Sequence, residues 1–219
     1  MEKFLSLPEE KQKKIIDAAF RCFSANGYKK ASVSDIAAAA GISKAMVFHY
    51  FGTKKELYFY LIEVCGSIIM KEMEEKFDPT VADFFDRIRL SSRIEMAVIK
   101  KHPALLAFIT SAFFENDEEI REDKKAIFAK GDDFRNKIAF DGMDYSKFKE
   151  GIDLKLFMKM LVWIAEGYTN QIPLEEEADF DALFAEFDQC LDMLKNNFYK
   201  EEYLHKDNNE NSKKHDLPE

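Results

Sequence analysis

Cysteine is scarce in this 219-residue chain, with three residues at positions 22, 65 and 190. They lie far apart, each inside a helical pattern, and an odd number without Cys-x-x-Cys spacing argues against disulfides or a zinc site. All three read as reduced structural residues. Histidine is nearly as rare, and its four positions, 49, 102, 205 and 215, show no His-Glu-x-x-His spacing. The eight glycines form neither a dinucleotide fingerprint nor a phosphate loop, and no serine sits in Gly-x-Ser-x-Gly. The acidic run Glu115 to Glu119 lacks the alternating oxygen ligands and central glycine of a calcium loop, and reads as a helix N-terminus. These absences leave no catalytic residue, no metal ligand and no cofactor to expect, so the chain is not expected to be an enzyme.

Long apolar runs are missing too. The longest nearly apolar one, Ala104 to Phe114, is too short to span a bilayer, and Met1 leads into charged residues rather than a signal sequence. A cytoplasmic protein without a membrane partner is expected. Strand-like segments are few. Between Phe77 and Tyr203 the pattern stays helical, broken near Asp78-Pro79, Lys101 to Pro103, Asn116-Asp117, Asp141 to Tyr145 and Ile172 to Glu175. The tail from His205 to Glu219 has no apolar residue but Leu217 and is expected to be disordered. With 47% hydrophobic residues, the chain is long enough for one small and one larger helical domain.

What is present is concentrated between Ser32 and Lys54. Gly41 sits where a chain leaving a helix needs positive φ. Ile36, Ala37 and Ala40 before it, and Ile42, Val47 and Tyr50 after it, recur at helical spacing, so two short helices share one small core. Ala37 is small enough to let the two backbones cross closely. Ser32 with Asp35 reads as a capping box and Ser43 as an N-cap, marking both helix starts independently. A helix-turn-helix follows, with a plain helical hairpin as the alternative. The flanks favour the former. Upstream, Ser6 and Glu9 bracket Pro8 in a helix-start pattern, followed by Ile15, Ile16, Ala19, Phe20 and Phe23 and a stop at Asn26-Gly27. Downstream, Gly52 breaks the chain, and Thr53 and Glu56 cap a long run through Leu57, Leu61, Val64 and Ile68.

The segment GYKKASVSDIAAAAGISKAMVFHYFGTKKELY resembles the N-terminal DNA-binding domain of the TetR/AcrR family of bacterial transcriptional regulators, over residues 8 to 62. The remainder resembles the family only in being helical and of suitable length. Phe48 stands where the family usually has tyrosine, and Ala45 where glycine or proline is common. The resemblance implies an all-α fold: a three-helix DNA-binding domain over 1–52, with its motif at about 32–51, and a larger helical ligand-binding and dimerisation domain over 53–204, before the tail at 205–219.

It also implies roles. The second helix of the motif enters the major groove with its N-terminal residues at base edges. Lys44 is then placed to donate to guanine O6 or N7, or to a phosphate. Ala45 and Met46 suit thymine methyls or are surface filler, and Ser34 suits a base or a phosphate. Phe48 and His49 fall on the outer side of that helix, against sugars and phosphates. Ser32 and Lys54, at helix starts, resemble phosphate anchors. Tyr50 is partly core, with its hydroxyl outward. Charge agrees: residues 1–60 hold 10 Lys+Arg against 6 Asp+Glu, leaving 22 against 35 for residues 61–219, for the net −9. A basic reading head on an acidic body docks DNA from one side, although a solvated acidic surface explains the second part as well.

The larger part carries two more candidates. From Leu154 to Asn170, Leu161 and Tyr168 lie on an apolar stripe, and Phe184, Phe187, Leu191, Leu194 and Phe198 alternate spacings of three and four. These helices resemble the pair through which family members form homodimers, with intrachain core as the alternative. Phe84, Phe85, Met96, Phe108, Phe113, Phe114, Phe128 and Trp163 supply adaptable apolar surface for the small-molecule pocket the resemblance implies, or ordinary core. Within these runs Glu95, His102 and Glu166 are polar interruptions, and a carboxylate beside Trp163 and Tyr168 suits a cationic aromatic ligand. Arg89 and Arg93, with Lys100 or Lys101, suit a carboxylate or phosphate instead, and solvated helix faces account for either set.

The expected function is a ligand-responsive, sequence-specific DNA-binding regulator: a homodimeric repressor released from a palindromic double-stranded operator by a small apolar or amphipathic effector. A helical protein-interaction adaptor without DNA binding is the alternative.

Overall fold

The computed structural model describes residues 1–169 and 179–204. The side chains of Glu166 and Tyr168, the break expected at Ile172 to Glu175 and the tail from His205 lie outside the described residues. Among those described, the fold is all-α. The helices are α1 (Glu2–Leu5), α2 (Glu9–Lys30), α3 (Val33–Ala40), α4 (Lys44–Phe51), α5 (Lys54–Lys76), α6 (Phe84–Lys101), α7 (Pro103–Phe114), α8 (Arg121–Phe140), α9 (Leu154–Thr169) and α10 (Phe180–Phe198). Short 3-10 turns occupy Tyr145–Lys147 and Glu201–Tyr203. No single helix among the described residues is long and apolar enough to cross a membrane; α6 and α7 reach that composition only jointly, bent by 112°.

The chain forms two compact units, Met1–Phe77 with Ser91–Ile138, and Asp78–Leu90 with Ala139–Glu219. The first unit is built on α2. Ile15, Ala19, Phe20 and Phe23 are its buried face, and they meet Ile36 and Ala37 of α3, Val47 of α4 and Leu57 and Leu61 of α5 in one core. The same core takes in Leu105, Phe108 and Ala112 of α7. The Phe108 ring lies 5.0 Å from Phe20 and 5.4 Å from Tyr58, so α7 packs directly on the helices that hold the motif. Regular helix in α2 stops at Gly27, whose φ of 69° and ψ of 171° suit only glycine, and residues 28–30 form the elbow into α3.

One element was not anticipated. Ser6 does not open the second helix; its hydroxyl donates to the Lys3 carbonyl and Ser6 closes α1, while Pro8 takes the N-cap position of α2. Four residues cannot form a helix alone, so α1 depends on Phe4. That ring is fully buried, with centroids 4.7 Å from Phe51, 5.6 Å from Tyr60 and 6.1 Å from Tyr50.

The second unit packs Phe84 and Phe85 of α6 against Phe148, Phe157, Leu161, Leu191 and Tyr199. Among the described residues its buried charged side chains are engaged. Asp83 Oδ1 accepts from the Phe85 and Asp86 amides, capping α6, and Oδ2 accepts from Lys147 Nζ at 2.7 Å. Arg87, buried, donates to the carbonyls of Val81 at 2.6 Å and Pro79 at 3.4 Å. The Tyr199 hydroxyl accepts from the Phe84 amide. Burial works to raise the Asp83 pKa, but the Lys147 hydrogen bond, the charges of Lys195 and Lys147 and the Asp86 amide outweigh it and hold the carboxyl below the usual range.

Two outcomes are expected. A carboxylate with a depressed folded pKa stabilises the fold above its unfolded value of about 3.9, and that contribution disappears as pH falls through the folded value. Asp83→Asn is therefore expected to lower stability by about 2 kcal/mol at neutral pH and to flatten its decline below about pH 4. Denaturant titrations across that range check this, and parallel curves for variant and parent would refute it. Phe4→Ala, which empties a closed aromatic site, is expected to cost about 3 kcal/mol and to speed hydrogen exchange in α4.

Candidate nucleic-acid interface

The motif is assembled by its ends. Ser32 Oγ accepts from the Asp35 amide at the start of α3, and Ser43 Oγ from the Met46 amide at the start of α4. Each such cap is worth about 1 kcal/mol, large for helices of eight residues. Gly41 ends α3 in the left-handed region, φ 70° and ψ 35°, and the Ile42 amide returns to the Ala37 carbonyl at 2.9 Å. Thr53 Oγ1 accepts from the Glu56 amide and donates to the Glu56 carboxylate, closing the start of α5.

Within α4, Val47, Tyr50 and Phe51 face inward and Lys44, Ala45, Phe48 and His49 face outward. Phe48 is 39% exposed, high for a phenylalanine, and Lys44 Nζ stands 6.0 Å over its ring, one turn apart. Ser34 is exposed on α3 and Ser32 half-buried at its start. Met46 is half-buried and packs against the core rather than standing free. Tyr50 is 4% exposed, its ring held between Phe4 and His49.

Lys54 differs most from the expectation of a free anchor. Its ammonium donates to the Tyr28 carbonyl at 2.9 Å and the Lys29 carbonyl at 3.2 Å, and lies 4.5 Å over the Tyr28 ring. Two of its three donors hold the elbow, leaving one for a phosphate. An open cleft of about 610 Å³ lies beside it, lined by Tyr28, Lys29, Asn116, Asp117, Glu118, Glu119 and Arg121.

The residues suggested for an effector pocket fall into both units. Phe108 belongs to the core of the first and Phe85 to that of the second, both fully buried. In the first, Met96 and Phe128 are half-buried, and Phe113 is exposed at its rim with its ring 5.7 Å from Phe128. Glu95 is half-buried; burial raises its carboxyl above the usual range against the opposing charge of Arg135. Lys101 pairs with Glu72 at 3.7 Å. In the second, Arg89 is engaged within the chain by Asp86 on its own helix and by Asp188 and Asp192 on α10, the latter two being partners that helix-face spacing does not show. Trp163 is 59% exposed.

The expected dimer seam is largely filled from within. Leu161 and Leu191 are buried in the second core, against which Phe187, Leu194 and Phe198 pack, and Phe184 is half-buried. The exposed apolar residues of α9 are instead Leu156, Met160 and Trp163, spaced by four and three on one face, with Met193 exposed on α10. Among the described residues no cluster of His, Cys, Asp and Glu is suited to a metal, and the three cysteines are unbridged.

Comparison with known proteins bears on the same region. Residues 15–61 match the family model of bacterial regulatory proteins, tetR family. The HTH-type transcriptional regulator BetI of Rhizobium meliloti is 32% identical over 117 residues, covering 51% of this chain and 55% of the relative, so the match spans about half the relative's length. A TetR family transcriptional regulator from Chloroflexus aurantiacus J-10-FL has a TM-score of 0.73 at 20% identity, covering 91% of this chain and 98% of the other. The transcriptional regulator FadR from Bacillus subtilis, in complex with stearoyl-CoA, has a TM-score of 0.67 at 22% identity, covering 82% and 96%. With an amino-terminal capped helix-turn-helix that matches the family model over residues 15–61 and an all-helical body with the same fold as these structural neighbours, the chain carries a DNA-binding domain of the tetR family of bacterial regulatory proteins.

Proposed function

We propose that the protein is a homodimeric transcriptional repressor. Its α4 reads the major groove of a palindromic operator, and a small apolar or amphipathic effector releases it. The observation that carries this reading is the division of α4: Val47, Tyr50 and Phe51 are spent on the core, while Lys44, Ala45, Phe48 and His49 stand outward from a start capped by Ser43. A helix held this way inserts its first turn between phosphate rows without reordering. Lys44 is assigned to a base edge, Ala45 and Met46 to thymine methyls, and Ser34 to a base or phosphate. Ser32, Phe48, His49, Lys54 and the Tyr50 hydroxyl are assigned to the sugar-phosphate backbone.

Domain roles follow the same reading, with residues 1–52 binding DNA and 53–204 sensing and pairing. The exposed stripe Leu156, Met160 and Trp163 supports a second copy as the partner of α9, since an apolar helix face of that width is covered in a stable assembly. Pairing two reading helices on one palindrome turns weak half-site binding into useful specificity. Adaptable side chains on α6, α7 and α8, namely Met96, Phe113 and Phe128, support an amphipathic effector. The stearoyl-CoA bound to FadR is of that chemical kind. Release requires the effector to bind two arrangements of the dimer with different affinity.

Retardation of DNA from upstream of the protein's own gene tests the reading, and failure to retard any neighbouring promoter fragment specifically would overturn it. Lys44→Ala is expected to reorder preference among operator variants, by about 1–3 kcal/mol at one base pair. Lys54→Ala is expected to weaken all of them alike and to lower the salt slope by about one. Met160→Asp is expected to yield a folded monomer in light scattering with at least about tenfold weaker binding to a palindrome, and an unchanged dimer would exclude this face of α9.

A further inference from the structure

Beside the reading head, one carboxylate joins two backbone segments through three amides. Glu115 closes α7, and its Oε2 accepts from the Tyr28 amide at 2.7 Å, 87 residues earlier in the chain. Its Oε1 accepts from the amides of Asn116 at 2.9 Å and Asp117 at 3.0 Å. The helix end is closed separately. Lys124 Nζ donates to the carbonyls of Ala112 at 3.2 Å, Phe113 at 2.8 Å and Glu115. That leaves the Glu115 side chain for the elbow. Gly27 makes room, since a Cβ there would stand 2.9 Å from Oε2.

The elbow is gripped from the other side as well. Lys54, the first residue of α5, holds the Tyr28 and Lys29 carbonyls, while its neighbour Lys55 reaches the Glu119 carbonyl at 2.9 Å and Asp123 at 2.6 Å. Elbow, α5 start and α7–α8 corner therefore form a closed triangle of charge-assisted bonds. Two of its vertices lead directly to Ser32 and Lys54. The corner cannot shift by much more than a hydrogen-bond length without breaking a bond or carrying those positions along.

We infer that Glu115 is a positioning residue for DNA binding, a latch through which the α7–α8 corner and the DNA-reading helices bias one another. This rests on the DNA-binding reading and adds the element that conveys regulation. Coupling of this kind is reciprocal, so DNA alone probes it without an identified effector. The measurement is amide hydrogen exchange of the full-length protein with and without its own upstream DNA, compared with Glu115→Ala and the isosteric Glu115→Gln. In the parent protein, DNA is expected to slow exchange both in residues 28–54 and in the corner at 112–124. In the variants, whose melting behaviour confirms folding, protection of 28–54 persists while the corner no longer responds, and operator affinity falls about fivefold or more. A corner unresponsive to DNA in the parent, or equally responsive in both folded variants, would overturn the latch while leaving DNA binding intact. Absence of protection in 28–54 would overturn the DNA-binding reading itself.

Discussion

Helices of eight residues do not persist in water, and the two that form the reading head are both that short. Every neighbouring element is arranged around this constraint. Side-chain caps at Ser32 and Ser43 satisfy amides that so short a helix would otherwise leave open, and α2 supplies the apolar wall on which both helices rest. Phe4 closes the far side of α4 against Tyr50 and Phe51. Because Phe108 of α7 enters the same interior at Phe20 and Tyr58, the stability of the motif is inseparable from the position of α7. A close-packed interior shared in this way does not deform gradually, so α7 and the short helices built on it move together or not at all.

Charged side chains serve a second purpose in this molecule: they finish the ends of helices. Lys54 takes carbonyls at the end of α2, Lys124 those of α7, Asp83 the amides of α6, and Arg87 the carbonyls of the loop before it. A buried charge is costly unless several partners meet it, and each of these meets at least two. The arrangement fixes corners rather than helix faces. It also explains why several cations on an acidic protein are not available to a ligand.

Much of the architecture was legible from local signals. Capping residues, Gly41 and the break at Gly27 lie where backbone chemistry leaves few alternatives, and the element boundaries around the motif agree with them. Periodicity located α9 and α10 in the same way. It did not separate a seam facing a second copy from one facing the chain itself, because Leu161 and Leu191 satisfy the same spacing whichever surface covers them. α1 escaped notice because four residues carry no period, and its order comes from one ring inserted between distant aromatics. Arg89 looked free beside Arg93 because two of its three aspartate partners, Asp188 and Asp192, are 99 and 103 residues away.

The sequence by itself determined that the chain is helical, where α3 and α4 begin and end, and which turn of which helix is offered outward. Caps, glycines and apolar spacing act within a few residues, so those conclusions need nothing from the rest of the chain. Tertiary structure decided what each charged or aromatic side chain is used for. It gave Lys54 to the elbow, Arg89 to α10 and Glu115 to Tyr28, and left Leu156, Met160 and Trp163 uncovered. Those choices depend on which long side chains reach across space to an unsatisfied backbone group or a counter-charge. No local pattern encodes that reach.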